Sequence, residues 1–368
     1  MPITKLNLQN IRCFSKKQID FQNSLNIIIG PNAIGKTIIL EAIFMLSLGK
    51  SFRAEQDREI ISFDEDLGRI GGTISYPNEA TKLELVLTNG VVMGEKTPYK
   101  KFFVNGVAKS MSDFTGRLKV VLFWPQDMEL VTNSPSLRRR YLDFVLMQTD
   151  PEYRRTIVSY EKGIRQRNKI LEAIREGNAR RHQLMFWDQL LIKAGEYISR
   201  KREEYIDFVN KLQISSANRQ SELKMPNYQL DYDKSIISAD RLMQYKEEEV
   251  AAGVTLVGPH RDDIKFRIKN LELRIKNEEY RDLSHYGSRG EQRLAILWLK
   301  LGELAFFEDQ CQDKPILLLD DIFSELDRDH RQIIFNMIGD KQTIITTSDL
   351  QLIDAKIIKN VEPIELRM

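Results

Sequence analysis

The 368-residue sequence predicts an α/β fold in which one sheet is built from both chain ends, with a mainly helical lobe inserted between them. Three observations predict it. Near the start, the apolar run Ser24–Ile29 meets the turn signal Gly30-Pro31 and then a helical pattern. Near the end, Pro315–Asp320 and Gln342–Thr346 read as short buried strands either side of a helix around Asp329–Met337. Between them, Leu137–Leu212 is long, charged and nearly free of helix breakers.

Leu6–Gly30 reads as strand, turn, strand. Ile39, Ala42, Ile43 and Leu46 then recur at helical spacing, and Gly49 falls where a C-terminal cap belongs. Arg69–Val104 alternates in short segments punctuated by Pro77-Asn78, Asn89-Gly90 and Asn105-Gly106, the pattern of antiparallel hairpins. Asn133–Ser136 resembles a linker, and Gly177-Asn178 a turn between two long antiparallel helices. A polar stretch, Ser215–Asp233, precedes strand-like alternation over Gly253–Ile275 and a helix over Arg289–Phe307. The expected division is 1–133 and 251–368 for the two parts of the α/β unit and 134–250 for the helical insertion.

Composition bounds the class. Apolar residues make up 42% and charged residues 29%, as in ordinary globular proteins. No apolar run reaches about 18 residues, and the first twenty residues lack a secretory core, so a cytoplasmic protein with no membrane contact is expected. Cys13 and Cys311 are expected to be buried structural thiols. The net charge is +2, but residues 135–215 carry 17 Lys and Arg against 11 Asp and Glu. That excess fits a polyanion-facing surface, although charge alone fits a solvated helical face at least as well.

Chemistry enters with Gly30-Pro31-Asn32-Ala33-Ile34-Gly35-Lys36-Thr37, which fits G-x-x-x-x-G-K-[ST] and lies between a strand and a helix, as its mechanism requires. Inward-pointing N–H groups cradle phosphates there, with the positive helix end behind them. Lys36 reaches the β- and γ-phosphates, and the Thr37 hydroxyl ligates Mg²⁺. ATP and Mg²⁺ are thus the expected cofactors. A metal-holding carboxylate must come from a neighbouring strand, and Asp320 ends one; Asp321 becomes the candidate general base. The two motifs lie 284 residues apart, so the sheet draws on both termini. Tyr286–Arg293 opens a helix, and Ser288, Gly290 and Glu291 could bind a phosphate at its N-terminus. One subunit already has a cradle, so these residues are expected to cap the γ-phosphate of a second copy in an ATP-dependent homodimer. Taken alone, the segment would read as an ordinary N-cap turn.

Together these residues resemble the ABC-type ATPase heads of the chromosome-organising and DNA-repair ATPases, and within them the RecF family. The resemblance covers essentially the whole chain. Asn10-Ile11-Arg12-Cys13-Phe14 is similar to the family's opening loop and Ser51-Phe52-Arg53 to its S-x-R segment, implying that Arg12 and Arg53 lie near the nucleotide. Phe123–Met128 looks like the segment at the Q-loop, implying that Gln126 serves catalysis and the metal. Ser134–Asp143, Gln166-Arg167-Asn168, Gly258–Asp263 and the D-loop-like Ser324–Asp327 resemble further family segments. The resemblance implies binding to double-stranded and gapped DNA, recombinase loading with RecR and RecO, and slow hydrolysis. Arg138, Arg139, Arg140, Arg180, Arg181, Lys201 and Arg202 are the candidate DNA contacts.

Three departures stand out. Ala33 replaces a glycine and is strained if its φ is positive; Asp321 stands where many ABC ATPases carry Glu, though Asp-Asp suits the RecF branch; and Thr347-Ser348 replaces the usual histidine after the last strand. His260 is expected to be structural. A transport ATPase subunit shares the nucleotide motifs but fits the basic helical insertion poorly. A nucleotide-gated clamp without turnover is the other alternative.

Overall fold

The computed structural model describes residues 2–75, 79–212, 227–269, 280–311, 314–324, 326, 328–339, 341–353, 358 and 361–367. The chain forms two compact units, Met1–Gln126 with Phe307–Met368, and Asp127–Phe306. Residues 251–306 therefore cluster with the helical insertion, where the sequence pattern places them with the C-terminal part of the α/β unit.

In the first unit, β1 (Ile3–Ile11), β2 (Phe14–Asp20), β4 (Leu67–Ser75), β5 (Ala80–Thr88), β8 (Lys100–Val104) and β9 (Val107–Lys109) form an antiparallel sheet in the order β2-β1-β4-β5-β8-β9. A parallel sheet, ordered β10-β14-β15-β3-β16, combines β3 (Leu25–Ile29) and β10 (Val120–Phe123) with β14 (Ile316–Asp320), β15 (Thr343–Thr347) and β16 (Ile364–Glu365). The N-terminal β3 thus pairs on both edges with strands from the far end of the chain, as expected. Helix α1 (Lys36–Leu48) packs against strands of both sheets. That position explains its composition: Ile39, Leu40, Ile43, Met45 and Leu46 are fully buried around its whole circumference. Each such aliphatic side chain contributes about 1.5–3 kcal/mol of burial. Two short helices, α2 (Met111–Phe114) and α11 (Arg328–Ile338), complete this unit.

Hairpin chemistry was partly legible. Asn105-Gly106 forms the two-residue turn between β8 and β9, both residues at positive φ. The small hairpin of β6 (Val91–Val92) and β7 (Glu95–Lys96) instead turns at Met93-Gly94, a pair with no strong turn signature. Pro77-Asn78 lies outside the described residues. The expectation of two buried cysteines is corrected: Cys13 is exposed in the β1–β2 turn, and Cys311 is half-buried.

The second unit is mainly helical. Sequence spacing predicted two long helices, and the structure has three: α4 (Pro135–Thr149), α5 (Pro151–Arg175) and α6 (Met185–Lys211), following the short α3 (Glu129–Thr132). The extra break is at Asp150-Pro151. Asp150 accepts hydrogen bonds from Glu152 N and Tyr153 N, and Pro151 takes the first helical position, where its missing N–H costs nothing. Helices α5 and α6 run antiparallel, since Tyr153 meets Arg202 at one end and Arg167 meets Asp188 at the other. Gly163 sits at their crossing, where a Cβ would lie 3.0 Å from both Leu190 and Leu191. A three-stranded sheet, β11 (Tyr228–Asp233), β12 (Asp263–Lys269) and β13 (Tyr280–Asp282), packs here too. Short helices α7 (Ala239–Gln244), α8 (Lys246–Ala252) and α9 (Leu283–Tyr286) precede α10 (Arg289–Gln310). Only β12 was foreseen within Gly253–Ile275, of which 270–275 lie outside the described residues; so do 215–226 of the polar stretch.

Buried ion networks tie this unit together. Arg167 donates to Asp188 at 2.7 Å, Thr255 at 2.9 Å and the buried Glu249 at 2.7 Å. Asn168 accepts from both the N–H and the hydroxyl of Thr255. His260 Nδ1 lies 2.9 Å from Tyr160 Oη and its Nε2 3.0 Å from the Thr255 carbonyl. Burial pushes its pKa down to about 4. Within the family-like segments Gln166–Asn168 and Gly258–Asp263, Arg167, Asn168 and His260 thus hold this unit together, which is the structural part expected of His260.

Candidate functional site

The parallel sheet sets the site. Strands β3, β10, β14 and β15 point the same way, so Gly30, Gln126, Asp320-Asp321 and Thr347-Ser348 all follow carboxyl-terminal strand ends, where α/β sheets bind ligands. The Gly30–Thr37 loop crosses into α1 through Gly35 at φ 107°, a value that excludes side chains; a Cβ there would also lie 2.7 Å from the Phe14 ring. Ala33 has φ 65°, so the strain anticipated from its departure is present.

Lys36 is buried and donates to the carbonyls of Gly30 at 2.7 Å and Pro31 at 2.9 Å, which arches the loop over its own ammonium. Burial lowers its pKa, while Asp321 and Asp320 pull it back up. The Thr37 hydroxyl donates to Asp320 Oδ1 at 3.0 Å, and that oxygen also accepts from Thr346 Oγ1 at 2.7 Å. Residues from opposite chain ends therefore meet at one carboxylate oxygen. Burial raises the Asp320 pKa, opposed by these hydroxyls and by the charge of Arg53.

Asp321 follows in a left-handed conformation, φ 49°, and its N–H donates to Thr346 Oγ1 at 3.1 Å. Its Oδ1 is buried without a hydrogen-bond partner. Burial raises its pKa, with Lys36 and a Ser348 backbone N–H opposing. A strained, partly desolvated carboxylate beside a buried lysine suits proton acceptance from water. The Thr37 hydroxyl and the Asp320 carboxylate, paired at one point, are hard oxygen donors that fit Mg²⁺. Among the described residues no group of three or more His, Cys, Asp or Glu could hold a metal.

Arg12 is tied to the helix that follows the loop, and Arg53 acts on the Asp320 carboxylate. Arg12 occupies the β1–β2 turn at φ 52° and pairs with the buried Glu41 of α1, Nη2 to Oε1 at 3.1 Å and Nε to Oε2 at 3.3 Å. Arg53 is exposed, close enough for its charge to act on Asp320. Gln126 is exposed in a single 3₁₀ turn, Pro125–Met128. Pro31 and Asn32 are exposed, and Ile34 is half-buried. Glu41 and Thr346 were missed by sequence reasoning: a lone Glu inside an apolar helix and a Thr inside an apolar strand carry no motif.

In the second unit, Ser288, Arg289 and Gly290 are exposed at the start of α10. Ser288 Oγ accepts from Glu291 N at 3.2 Å while Glu291 Oε2 accepts from Ser288 N at 2.8 Å, a reciprocal capping box. Glu291 also pairs with Arg281. The local N-cap role is thus real, and it leaves the Ser288–Gly290 edge facing solvent.

The candidate DNA contacts divide. Arg138 and Arg202 are corrected to scaffold residues. Arg138 is buried, donating to both Asp263 oxygens at 2.7 and 3.0 Å and to the Leu130 and Asn133 carbonyls. Arg202, 2% exposed, donates to Asp143, Asp262, Tyr153 and the Pro259 carbonyl. Arg139 donates to the Asp262 carbonyl at 2.7 Å, and Arg140 stacks over Phe144. Lys201 pairs with Glu204 at 2.8 Å and Arg181 with Glu247 at 2.5 Å, both on the surface. Arg180 is exposed beside the α5–α6 turn. A charge count cannot separate these classes, because a buried arginine and a surface one contribute equally to it.

Residues 2–362 match the family described as the RecF/RecN/SMC N terminal domain. The chain is 32% identical to the DNA replication and repair protein RecF of Bacillus cereus (strain AH820), over 100% of this chain and 97% of that protein. The same identity and coverage hold for RecF of Bacillus mycoides (strain KBAB4). Solved structures of the recombination mediator protein RecF in the RecFOR pathway match as RecF-ATPrS and RecF-ATP. Both have TM-scores of 0.81 at 30% identity; the first covers 96% of this chain and 94% of that one, the second 94% and 92%. No helix among the described residues is long and apolar enough to cross a membrane. With a parallel sheet drawn from both termini and a helical insertion, the fold is that of an ABC-type ATPase head, and the chain belongs to the RecF family.

Proposed function

We propose that the chain is an ATP-dependent DNA-binding repair protein that dimerises on ATP, binds double-stranded and gapped DNA, and is released by slow hydrolysis. The observation that carries this reading is the meeting of Thr37 and Asp320, 283 positions apart, at a 3.0 Å hydrogen bond beside a buried lysine. Magnesium supplies charge neutralisation at the β- and γ-phosphates when bound. The chain's own residues do the rest. The Gly30–Thr37 backbone receives the phosphates, and Lys36 moves its ammonium from the Gly30 and Pro31 carbonyls to them. Thr37 and Asp320 would hold the cation, with Gln126 as a further ligand. Asp321 accepts the proton of the attacking water, and its short reach from a strained backbone favours a low rate.

The exposed Ser288–Gly290 edge is the surface offered to the γ-phosphate of a second copy, with Glu291 holding the turn. Each γ-phosphate then neutralises charge contributed by both copies, so ATP acts as an adhesive between them. The exposed cations of the helical insertion, Arg180 first among them, take the DNA backbone without reading sequence, so binding is salt-sensitive. The relatives' place in a RecFOR pathway supports RecR and RecO as partners in recombinase loading. Analytical sedimentation tests the reading: the chain should pass from monomer to dimer with a non-hydrolysable ATP analogue and co-sediment with gapped DNA only then. A chain that stays monomeric throughout rules out the trans-capping mechanism.

A further inference from the structure

Glu41 has no role in the phosphate chemistry, yet it is a carboxylate 1% exposed inside the helix that the phosphate loop launches. Burying that charge is costly unless it is paired and hydrogen-bonded. Its partners come from two separate segments. One is Arg12, in the β1–β2 turn, bound through Nε and Nη2. The other is the Ser51 hydroxyl, which donates to Glu41 Oε1. Ser51 Oγ in turn accepts from Arg53 N at 2.9 Å and Ala54 N at 2.8 Å. A hydroxyl has one proton and two lone pairs, and all three are used here. One oxygen of Glu41 therefore fixes the turn that carries Arg53, while both oxygens fix Arg12.

The turn that carries Arg12 is also held from behind. Arg12 N donates to the Ile60 carbonyl at 2.8 Å, and Ser62 Oγ donates to the Arg12 carbonyl at 2.8 Å. With its backbone clamped, the guanidinium direction is set by Glu41. The described bonds use Nε and Nη2, so Nη1 lies outside the Glu41 pair.

We propose that Glu41 is a positioning residue for the nucleotide site, aligning Arg12 and the Ser51–Arg53 turn in one frame with the phosphate-loop helix. This rests on the nucleotide-site reading above. Glu41→Gln is the near-isosteric test: its NH₂ cannot accept, so one of the two Arg12 bonds breaks in either amide orientation, and in one orientation the Ser51 bond breaks with it. Ser51→Ala releases only the Arg53 turn.

The experiment measures equilibrium binding of a fluorescent ATP analogue to the full chain and its variants, with the ligand-free unfolding transition recorded for each. Glu41→Gln should weaken binding about ten-fold, the size of one misplaced charge-assisted hydrogen bond. That weakening should disappear in an Arg12→Ala/Arg53→Ala background. Ser51→Ala should weaken binding in the wild-type and Arg12→Ala backgrounds but not in Arg53→Ala. A merely structural role would lower the unfolding transition and cost the same in every background. Wild-type affinity in Glu41→Gln, or a cost that persists without both arginines, overturns the proposal. If Glu41→Gln does not fold, the Ser51→Ala series decides: an equal cost with and without Arg53 overturns it. Failure of the nucleotide reading would look different, as an absence of analogue binding by the wild-type chain.

Discussion

Replacing Arg202 with methionine separates scaffold from DNA contact. The side chain keeps its apolar stem but loses a guanidinium that donates to Asp143 at 2.8 Å, Asp262 at 3.0 Å, the Pro259 carbonyl at 2.7 Å and Tyr153 Oη at 3.2 Å. The two carboxylates fare differently. Asp143 is 19% exposed and can recover water, whereas Asp262 is 1% exposed and keeps only Tyr232 Oη and the Ser235 N–H. Breaking a buried pair by removing one partner costs about 3–5 kcal/mol, and the two surviving donors to Asp262 place this variant toward the lower figure. The cost should depend on pH. Burial already raises the Asp262 pKa, and Arg202 is the largest opposing influence. A carboxylate raised in the folded state destabilises above its unfolded pKa, and protonation relieves that penalty as pH falls. Without Arg202 the pKa rises further, so the loss should be smaller at pH 5 than at pH 7.5. Urea unfolding followed by tryptophan fluorescence at both pH values reads the loss, and DNA retention by the folded fraction reads function. A variant of wild-type stability that has lost DNA binding would refute the scaffold assignment.

Three further outcomes are expected. Arg180→Ala, whose side chain is exposed beside the α5–α6 turn, should leave stability within about 0.5 kcal/mol and lower the salt dependence of DNA binding by about one ion, read from affinity against salt concentration. His260 is held neutral with a pKa near 4, so its stabilising contribution is present above pH 6.5 and is lost as pH falls toward 4; the loss is about 2 kcal/mol by pH 5. In His260→Gln, the fall in unfolding free energy between pH 7 and pH 5 should shrink by that amount. Ala33→Gly removes left-handed strain of about 1 kcal/mol, largely offset by a more flexible unfolded chain, so stability should change little while ATP affinity holds or improves; weakened binding contradicts the strain argument.

The sequence exposed most of the α/β unit because its signals are local. The phosphate loop, the strand before it and the apolar strand ending in Asp320 each carry a pattern, and the long separation between them forces a sheet from both ends. The helical lobe was less legible. Asp150-Pro151 is a clear helix start that was overlooked within an apparently continuous helical pattern. The boundary at 306 was invisible because β12 and α10 look like head elements, whereas their packing partners in the lobe are set by tertiary contacts such as the Arg138–Asp263 ion pair and the Phe306 ring against Tyr205 and Phe208. The same reason hid Glu41 and Thr346. Their roles exist only once α1, β14 and β15 are adjacent, and no spacing along the chain encodes that.

The central claim is that Thr37 and Asp320 serve one magnesium–triphosphate. Single-turnover phosphate release, titrated with Mg²⁺, tests it in Thr37→Val, Asp320→Asn and the double variant. The account predicts that each single change raises the Mg²⁺ requirement and slows release at least about 100-fold, a loss near 2.7 kcal/mol of transition-state stabilisation. It also predicts that the double variant is little worse than either single one, because both groups act through one ion. Wild-type release and Mg²⁺ requirement in Asp320→Asn, or fully additive losses in the double variant, would contradict it.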